Sequence, residues 1–218
     1  MLEATNLACV RGSRRLFSDL NFSLAAGTLL QVTGPNGSGK TSLQRIICGL
    51  MAPEVGEVKW GGANIKSLGE DYSRNFIYIG HRHGVKDELS SVENLRIASG
   101  LTGIQLTANE AARALGEIGL AGREDLPARF LSEGQKRRSA LARLITSERT
   151  LWVLDEVLAS LDTAAIRMVE SLIERHLSEG GMAIVTTHQP LSLSAGSIQR
   201  LELAGEVPLG SASTGLPS

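Results

Sequence analysis

The segment Gly34-Pro-Asn-Gly-Ser-Gly-Lys40-Thr41 constrains the fold of this 218-residue chain more than any other feature. It fits G-x-x-x-x-G-K-[ST], a loop whose glycines let successive backbone N–H groups converge on phosphate oxygens. The pattern has chemical meaning only between a strand and a helix, because the helix N-terminus adds free N–H groups and a favourable dipole. Both flanks are present. Thr28–Thr33 is a compact apolar strand, and Leu43, Ile46, Ile47 and Leu50 mark a helix face after the loop. Gly34, Pro35, Asn36, Gly37, Ser38, Gly39, Lys40, Thr41 and Ser42 are therefore expected to bind phosphate groups. Lys40 would reach the β- and γ-phosphates, and the Thr41 hydroxyl would go to Mg²⁺. A glycine-rich turn without a ligand is the alternative, and the flanking pattern argues against it.

The rest of the chain alternates strands and helices. Leu2–Val10, Phe17–Leu24 and Phe76–Ile79 read as strands, and Glu57–Trp60 with Ala63–Ile65 reads as a hairpin around Gly61-Gly62. Ser91–Gly100, Thr107–Gly119 and Gly134–Ser147 carry helical periodicity between Gly and Pro breaks. Leu151–Leu154 and Met182–Thr187 are strands, with a helix at Thr163–Leu177 between them. From 205 to 218 the Gly/Ser/Pro composition predicts a disordered tail.

Two further segments carry chemistry. Leu151-Trp-Val-Leu-Asp155-Glu156 is an apolar strand ending in two acids. That places them at the carboxyl edge of a sheet, where open α/β folds bind ligands. Asp155 suits the Mg²⁺ shell, and Glu156 suits orienting or deprotonating an attacking water. A solvated acidic turn is the alternative for this segment taken alone. In Leu131-Ser-Glu-Gly-Gln135, Ser132 and Gln135 form S-x-x-Q, a capping box at a helix start. A capped, glycine-containing helix N-terminus is also a second anion site.

The phosphate loop, LSEGQ, Asp155-Glu156, Ala159-Ser-Leu-Asp162 and His188, in this order and spacing, resemble the nucleotide-binding subunits of ATP-binding-cassette (ABC) transporters. The resemblance spans about residues 1–204. It implies an α/β P-loop NTPase fold of the ABC ATPase type: a mixed-sheet core, an N-terminal antiparallel β subdomain and an inserted helical subdomain. The core would take about 1–81 and 150–204, and the helical subdomain about 82–149. It implies that the chain works as a homodimer with ATP and Mg²⁺, docked on integral membrane permease subunits. Ser132, Gly134 and Gln135 would then act on ATP held by the other copy. Asp162 would lie in the loop between the two sites. His188 would contact the γ-phosphate, and Glu156, His188 and Lys40 would form the catalytic set. Within the family, Ile79-Gly80-His81, Trp152, Thr186-Thr-His-Gln-Pro190-Leu191 and the stretch Ala121–Leu131 look similar to the ATPase subunit of the bacterial cytochrome c maturation system, a haem exporter. That resemblance implies a peripheral location on the cytoplasmic face of the inner membrane.

Four positions depart from the family pattern. Glu133 replaces a glycine in LSEGQ, and a carboxylate beside a phosphate is tolerable only if it points away, so it is expected to face solvent. Arg11 stands where an aromatic residue stacks on adenine; a guanidinium can stack on a base, and a solvated arginine is the other reading. His81 stands where a glutamine senses Mg²⁺ and the membrane partner. Val157 replaces a proline after the catalytic acid. His81 and His83 suggest haem ligation only superficially, since an H-x-H pair among charged residues is ordinarily solvated.

Bulk composition sets the outer bounds. The apolar fraction is 42% and the net charge −1, so no general attraction to nucleic acid or anionic lipid is implied. No apolar run approaches the ~18 residues of a membrane span, and no secretory signal is visible. Cys9 and Cys48 are expected as buried thiols. The alternatives are the ATPase of another small-substrate ABC transporter, a soluble ABC-type ATPase, or a non-hydrolysing adaptor. Glu156 argues against the last, and the short span between the Phe76 strand and Asp155 argues against a DNA-repair type with a long coiled insertion.

Overall fold

A computed structural model of the chain describes residues 1–187, 191–194, 196–205 and 207–208. Its layering follows from strand alternation. Numbered in chain order, the strands include β1 (Leu2–Arg11), β2 (Arg14–Leu24), β3 (Thr28–Thr33), β4 (Val55–Trp60) and β5 (Ala63–Asn64), then β6 (Phe76–Ile79), β7 (Leu151–Asp155), β8 (Met182–Thr186), β9 (Ser197–Glu202) and β10 (Val207–Pro208). They form two five-stranded sheets, β10-β2-β1-β4-β5 and β6-β7-β8-β3-β9. Every pairing in the first is antiparallel and every pairing in the second is parallel. The antiparallel N-terminal sheet implied by the family resemblance is present, and the core sheet, for which a mixed sheet was implied, is parallel in all its pairings.

The central parallel strands are apolar on both faces because both faces are covered. Along β7, Trp152 and Leu154 enter one core while Leu151 and Val153 enter another. In β8, Ala183 and Val185 separate from Met182 and Ile184 in the same way. Helix α1 (Lys40–Ile47) fills the second core, with Leu43, Ile46 and Ile47 packed between Leu2 and Leu7 of β1 and the parallel sheet. Its N-terminus is thereby aimed past the carboxyl end of β3.

The first core is shared more widely. Helices α4 (Ser91–Gly100), α5 (Ala108–Glu117) and α6 (Glu133–Ile145) pack on one another, and Leu95, Leu115 and Leu141 join a single cluster with Trp152, Leu154 and Ile173 of α7 (Thr163–Ser178). Each helix start is chemically fixed. Ser90, Thr107 and Ser132 each form a full capping box, with Glu93, Glu110 and Gln135 respectively. Asp162 caps α7 through Ala165 N at 2.8 Å.

Three local expectations change. Ile65 opens the short helix α2 (Ile65–Leu68) instead of extending β5, because the Asn64 side chain accepts from Lys66 N at 2.9 Å and caps it. A further turn, α3 (Glu70–Ser73), follows directly. Strand β9 was not legible: its residues are largely exposed and polar, and only pairing with β3 defines it. The disordered tail expected over 205–218 does not hold at 207–208. Val207–Pro208 pair with Arg15 and Arg14 on the free edge of β2, where a proline removes no needed donor. Residues 206 and 209–218 lie outside the described residues. Cys9 and Cys48 are buried free thiols, as expected, and burial pushes the Cys48 thiol well up. Among the described residues, no helix is long and apolar enough to cross a membrane.

Because the helical segment and the parallel sheet share one core, they should unfold together. Leu115→Ala, at a fully buried position of α5, is expected to remove about 2–5 kcal/mol. Far-UV circular dichroism and the fluorescence of Trp60 and Trp152 should then shift to a common denaturant midpoint. Two separated transitions would show instead that the helices fold as an independent unit.

Candidate functional site

The loop between β3 and α1 turns through Gly34, Gly37 and Gly39, all at positive φ. Gly34 is irreplaceable on space as well: a Cβ there would lie 2.5 Å from the Leu203 carbonyl oxygen. Gly39, at φ 100°, stands at the N-cap of α1, so the free N–H groups of the first turn open into the loop. Lys40 is buried, and its ammonium donates to the carbonyls of Gly34 at 2.8 Å and Pro35 at 3.1 Å. The cation therefore sits against the loop itself. Asn36, Gly37, Lys40, Thr41, Ser42 and Glu156 line one cleft over this loop. Ser38 is buried, with its hydroxyl under the loop. Pro35 is exposed beside it.

Asp155 is the next element. Its side chain is only 1% exposed, yet its oxygens are well supplied. Oδ2 accepts from the Thr41 hydroxyl at 2.9 Å and, more weakly, from the Tyr78 hydroxyl at 3.4 Å. Oδ1 accepts from the Thr186 hydroxyl at 2.8 Å. Burial, and then the Asp155 charge, push the Tyr78 hydroxyl up to about 12, so it stays a donor at neutral pH. Gln44 ties α1 to β7 by donating to the Leu154 carbonyl at 2.9 Å.

These donors suit Mg²⁺. Thr41 Oγ1 and Asp155 Oδ2 lie 2.9 Å apart. Two neighbouring oxygens around an octahedral ion with bonds of about 2.1 Å have a spacing of roughly 3.0 Å. Among the described residues no group of three or more His, Cys, Asp or Glu could hold a metal alone. An ion here would thus be completed by phosphate oxygens and water, the mode Mg²⁺ favours.

Glu156 leaves the strand in the left-handed region, at φ 51°. For a residue other than glycine this conformation costs about 1–2 kcal/mol. It is held because the Glu156 N–H donates to the Thr186 carbonyl at 3.1 Å and to the Thr186 hydroxyl at 2.9 Å. The turn re-aims the Glu156 side chain away from the strand's alternation, into the same clefts as Thr41. Val157, in place of proline, is fully buried and anchors the turn by packing.

The LSEGQ segment lies where its capping box predicts. Ser132 Oγ accepts from Gln135 N at 3.3 Å, and Gln135 Oε1 accepts from Ser132 N at 2.9 Å. Gly134 packs on the Ala159–Asp162 loop; a Cβ on it would stand 3.0 Å from the Ser160 carbonyl oxygen. The Glu133 side chain is 71% exposed, as expected, and its carboxylate is drawn to His83 at 3.1 Å and Lys136 at 3.8 Å.

The remaining expected residues are placed as follows. His81 is exposed and lines a cleft of about 560 Å³ with Thr41, Tyr78, Arg82, Asp155 and Glu156. Arg11 is exposed at the end of β1, near Cys9, and does not line the clefts over the phosphate loop. Asp162 is committed to capping α7. His188 lies outside the described residues. Sequence reasoning gave no role to Tyr78, Gln44, Thr186 or Arg137. For Thr186 a signal existed, since it is a hydroxyl at the carboxyl end of an otherwise apolar strand.

The ABC transporter family model matches residues 17–159. The chain is similar to the cytochrome c biogenesis ATP-binding export protein CcmA of Nitrosospira multiformis, with 54% identity over 93% of this chain and 98% of that protein. To CcmA of Nitrosomonas europaea it is 52% identical, over 94% and 96% of the two chains. Among solved structures, its fold matches the dimeric post-hydrolysis state of the ATP-binding cassette MJ0796 bound to ADP and Pi. The TM-score is 0.81 at 21% identity, covering 96% of this chain and 99% of that one.

Thr186 joins Asp155 to Glu156, so Thr186→Val should hurt chemistry more than folding. Loss of a hydrogen bond to a charged group, at about 1.5–3 kcal/mol, predicts a fall in ATP turnover of roughly 10- to 100-fold. Steady-state phosphate release checks it. Turnover within twofold of the parent would remove Thr186 from the site.

Proposed function

The chain belongs to the ABC transporter family of ATP-binding subunits, and from that premise we propose that it hydrolyses ATP as a homodimer to drive the membrane subunits of the haem-exporting cytochrome c biogenesis system. The observation that carries the chemical half is the hydrogen-bonded chain from Thr41 through Asp155 and Thr186 to Glu156. It joins the phosphate loop to a catalytic carboxylate through residues of α1, β7 and β8. The two relatives named above, each more than half identical over nearly the whole chain, support the cytochrome c half.

In this reading Gly34–Ser42 hold the triphosphate of ATP and Lys40 moves from the loop carbonyls to the β- and γ-phosphates. Thr41 and Asp155 hold Mg²⁺, with His81 facing the same cleft. Held there, Mg²⁺ would supply neutralisation of charge on the phosphates. Glu156 accepts a proton from, or orients, the attacking water, and His188 contacts the γ-phosphate. Ser132, Gly134 and Gln135 present a second helix N-terminus to ATP bound by the other copy. Arg11 offers a guanidinium to the adenine from the end of β1. Asp162 holds the loop between the two half-sites. The subunit sits on the cytoplasmic face of the bacterial inner membrane, against integral permease subunits, with no role for nucleic acid.

Glu156→Gln is expected to retain ATP binding, to lower turnover at least about 100-fold and to accumulate an ATP-bound dimer. Size-exclusion chromatography with and without ATP, together with phosphate release, checks both. Unchanged phosphate release would overturn the catalytic assignment. Lys40→Ala should weaken ATP binding by calorimetry through loss of a charged phosphate contact. Purification from membranes should recover cytochrome c maturation proteins; recovery only in the soluble fraction would overturn the membrane role.

A further inference from the structure

Arg137 is 2% exposed in the second turn of α6, and its charge has no ordinary explanation. Among the described residues it makes no ion pair within contact distance, and its Nε has no hydrogen-bond partner. A buried guanidinium without a paired carboxylate destabilises a fold unless something else requires it. Its two terminal nitrogens are committed instead to the backbone of one loop. Nη1 donates to the Gly80 carbonyl at 3.0 Å, and Nη2 donates to the His81 carbonyl at 2.8 Å. Burial lowers its proton affinity, and the charges of Asp155, Glu133 and Glu156 offset this from a distance.

The loop so held runs from the end of β6 past the cleft beside Asp155. Its outer part is also fastened to the LSEGQ region. Lys136 Nζ reaches Asp87 Oδ1 at 2.7 Å, His83 Nε2 pairs with Glu133 at 3.1 Å, and Arg129 N donates to the Asp87 carbonyl at 3.0 Å. The Asp87 and Glu133 carboxylates in the outer contacts are more than half exposed, so each contact is weak alone. The Arg137 fork is the buried member of the set, and a planar two-pronged donor fixes orientation as well as distance.

We infer that Arg137 is a positioning residue for ATP hydrolysis: it locks the Gly80–Asp87 loop to the first turns of α6, so that the loop beside Asp155 and the Ser132–Gly134 turn presented to the second copy move as one body. The inference rests on the proposed dimer. A shift of the loop at one copy's nucleotide then changes the fit of the same copy's LSEGQ turn to the other nucleotide. Arg137 touches no reacting atom; its effect runs through the two carbonyls it holds.

The test uses Arg137→Lys, which keeps charge but cannot span both carbonyls as a fork, and Arg137→Gln. Three readouts are taken on the full chain. ATP affinity by calorimetry should stay within about twofold, because the phosphate loop is untouched. Turnover should fall at least about tenfold, and ATP-driven dimerisation in the Glu156→Gln background should weaken by a similar factor. Hydrogen exchange should rise together at His81–Lys86 and Ser132–Lys136. Equal dimerisation of Glu156→Gln with and without Arg137→Lys would overturn the inference, as would unchanged exchange in the loop. Failure of Glu156→Gln alone to dimerise with ATP would instead overturn the underlying functional reading. Should both Arg137 variants fail to fold, hydrogen exchange of the parent chain with and without ATP decides instead: exchange that changes together at His81–Lys86 and Ser132–Lys136 supports the locked loop, and a change in one segment without the other overturns it.

Discussion

The buried carboxylate of Asp155 is the contact on which the rest of the site depends. It accepts from a hydroxyl of α1, a hydroxyl of β8 and the phenol of β6 while almost wholly removed from water. An ionised group in such a place is tolerable only when its oxygens are supplied with donors. Three elements are therefore held in register by one side chain. Thr186 extends that register by one residue, since the same hydroxyl that donates to Asp155 accepts from the Glu156 N–H. The left-handed turn at Glu156 is the strain this network sustains.

The surrounding fold supplies rigidity. β7 and β8 sit in the middle of the parallel sheet, flanked by β6 and β3 and apolar on both faces. Their carboxyl ends cannot move without disturbing two cores. Polar chemistry is thus concentrated where the strands stop, the location expected for ligand sites in parallel α/β sheets. The helical segment joins one of these cores, so the LSEGQ turn is referenced to the same strands that carry Asp155 and Glu156.

What could be read from the sequence was what is local in sequence. The phosphate loop, the apolar strand ending in Asp155-Glu156 and the Ser132/Gln135 capping box each lie within ten residues, and backbone rules connect them to geometry. Chain order and spacing then carried the family resemblance. Unreadable were partners brought together from afar: Tyr78 on Asp155, Arg137 on Gly80 and His81, His83 on Glu133. None leaves a periodic or compositional trace. β9 was missed because an edge strand of mixed polarity is defined by its neighbour rather than by its own pattern. Ile65 was assigned to a strand because its apolar side chain fitted alternation, while the Asn64 cap that starts a helix there competes at the same position.

The Glu133 departure shows how the site tolerates a wrong-signed side chain. The capping box occupies the N–H groups of Ser132 and Gln135, so the groups directed beyond the end of α6 are those of Glu133 and Gly134. An anion at that helix end needs the backbone of residue 133, and not a glycine as such. What it cannot accept is a carboxylate lying across the same N–H groups. His83 and Lys136 draw the Glu133 carboxylate off to the side, toward the loop that Arg137 holds. Gly134 has no such freedom, because the Ser160 carbonyl occupies the space its side chain would need. Of the two adjacent positions, only the one with room for a side chain and polar partners to restrain it carries an acid.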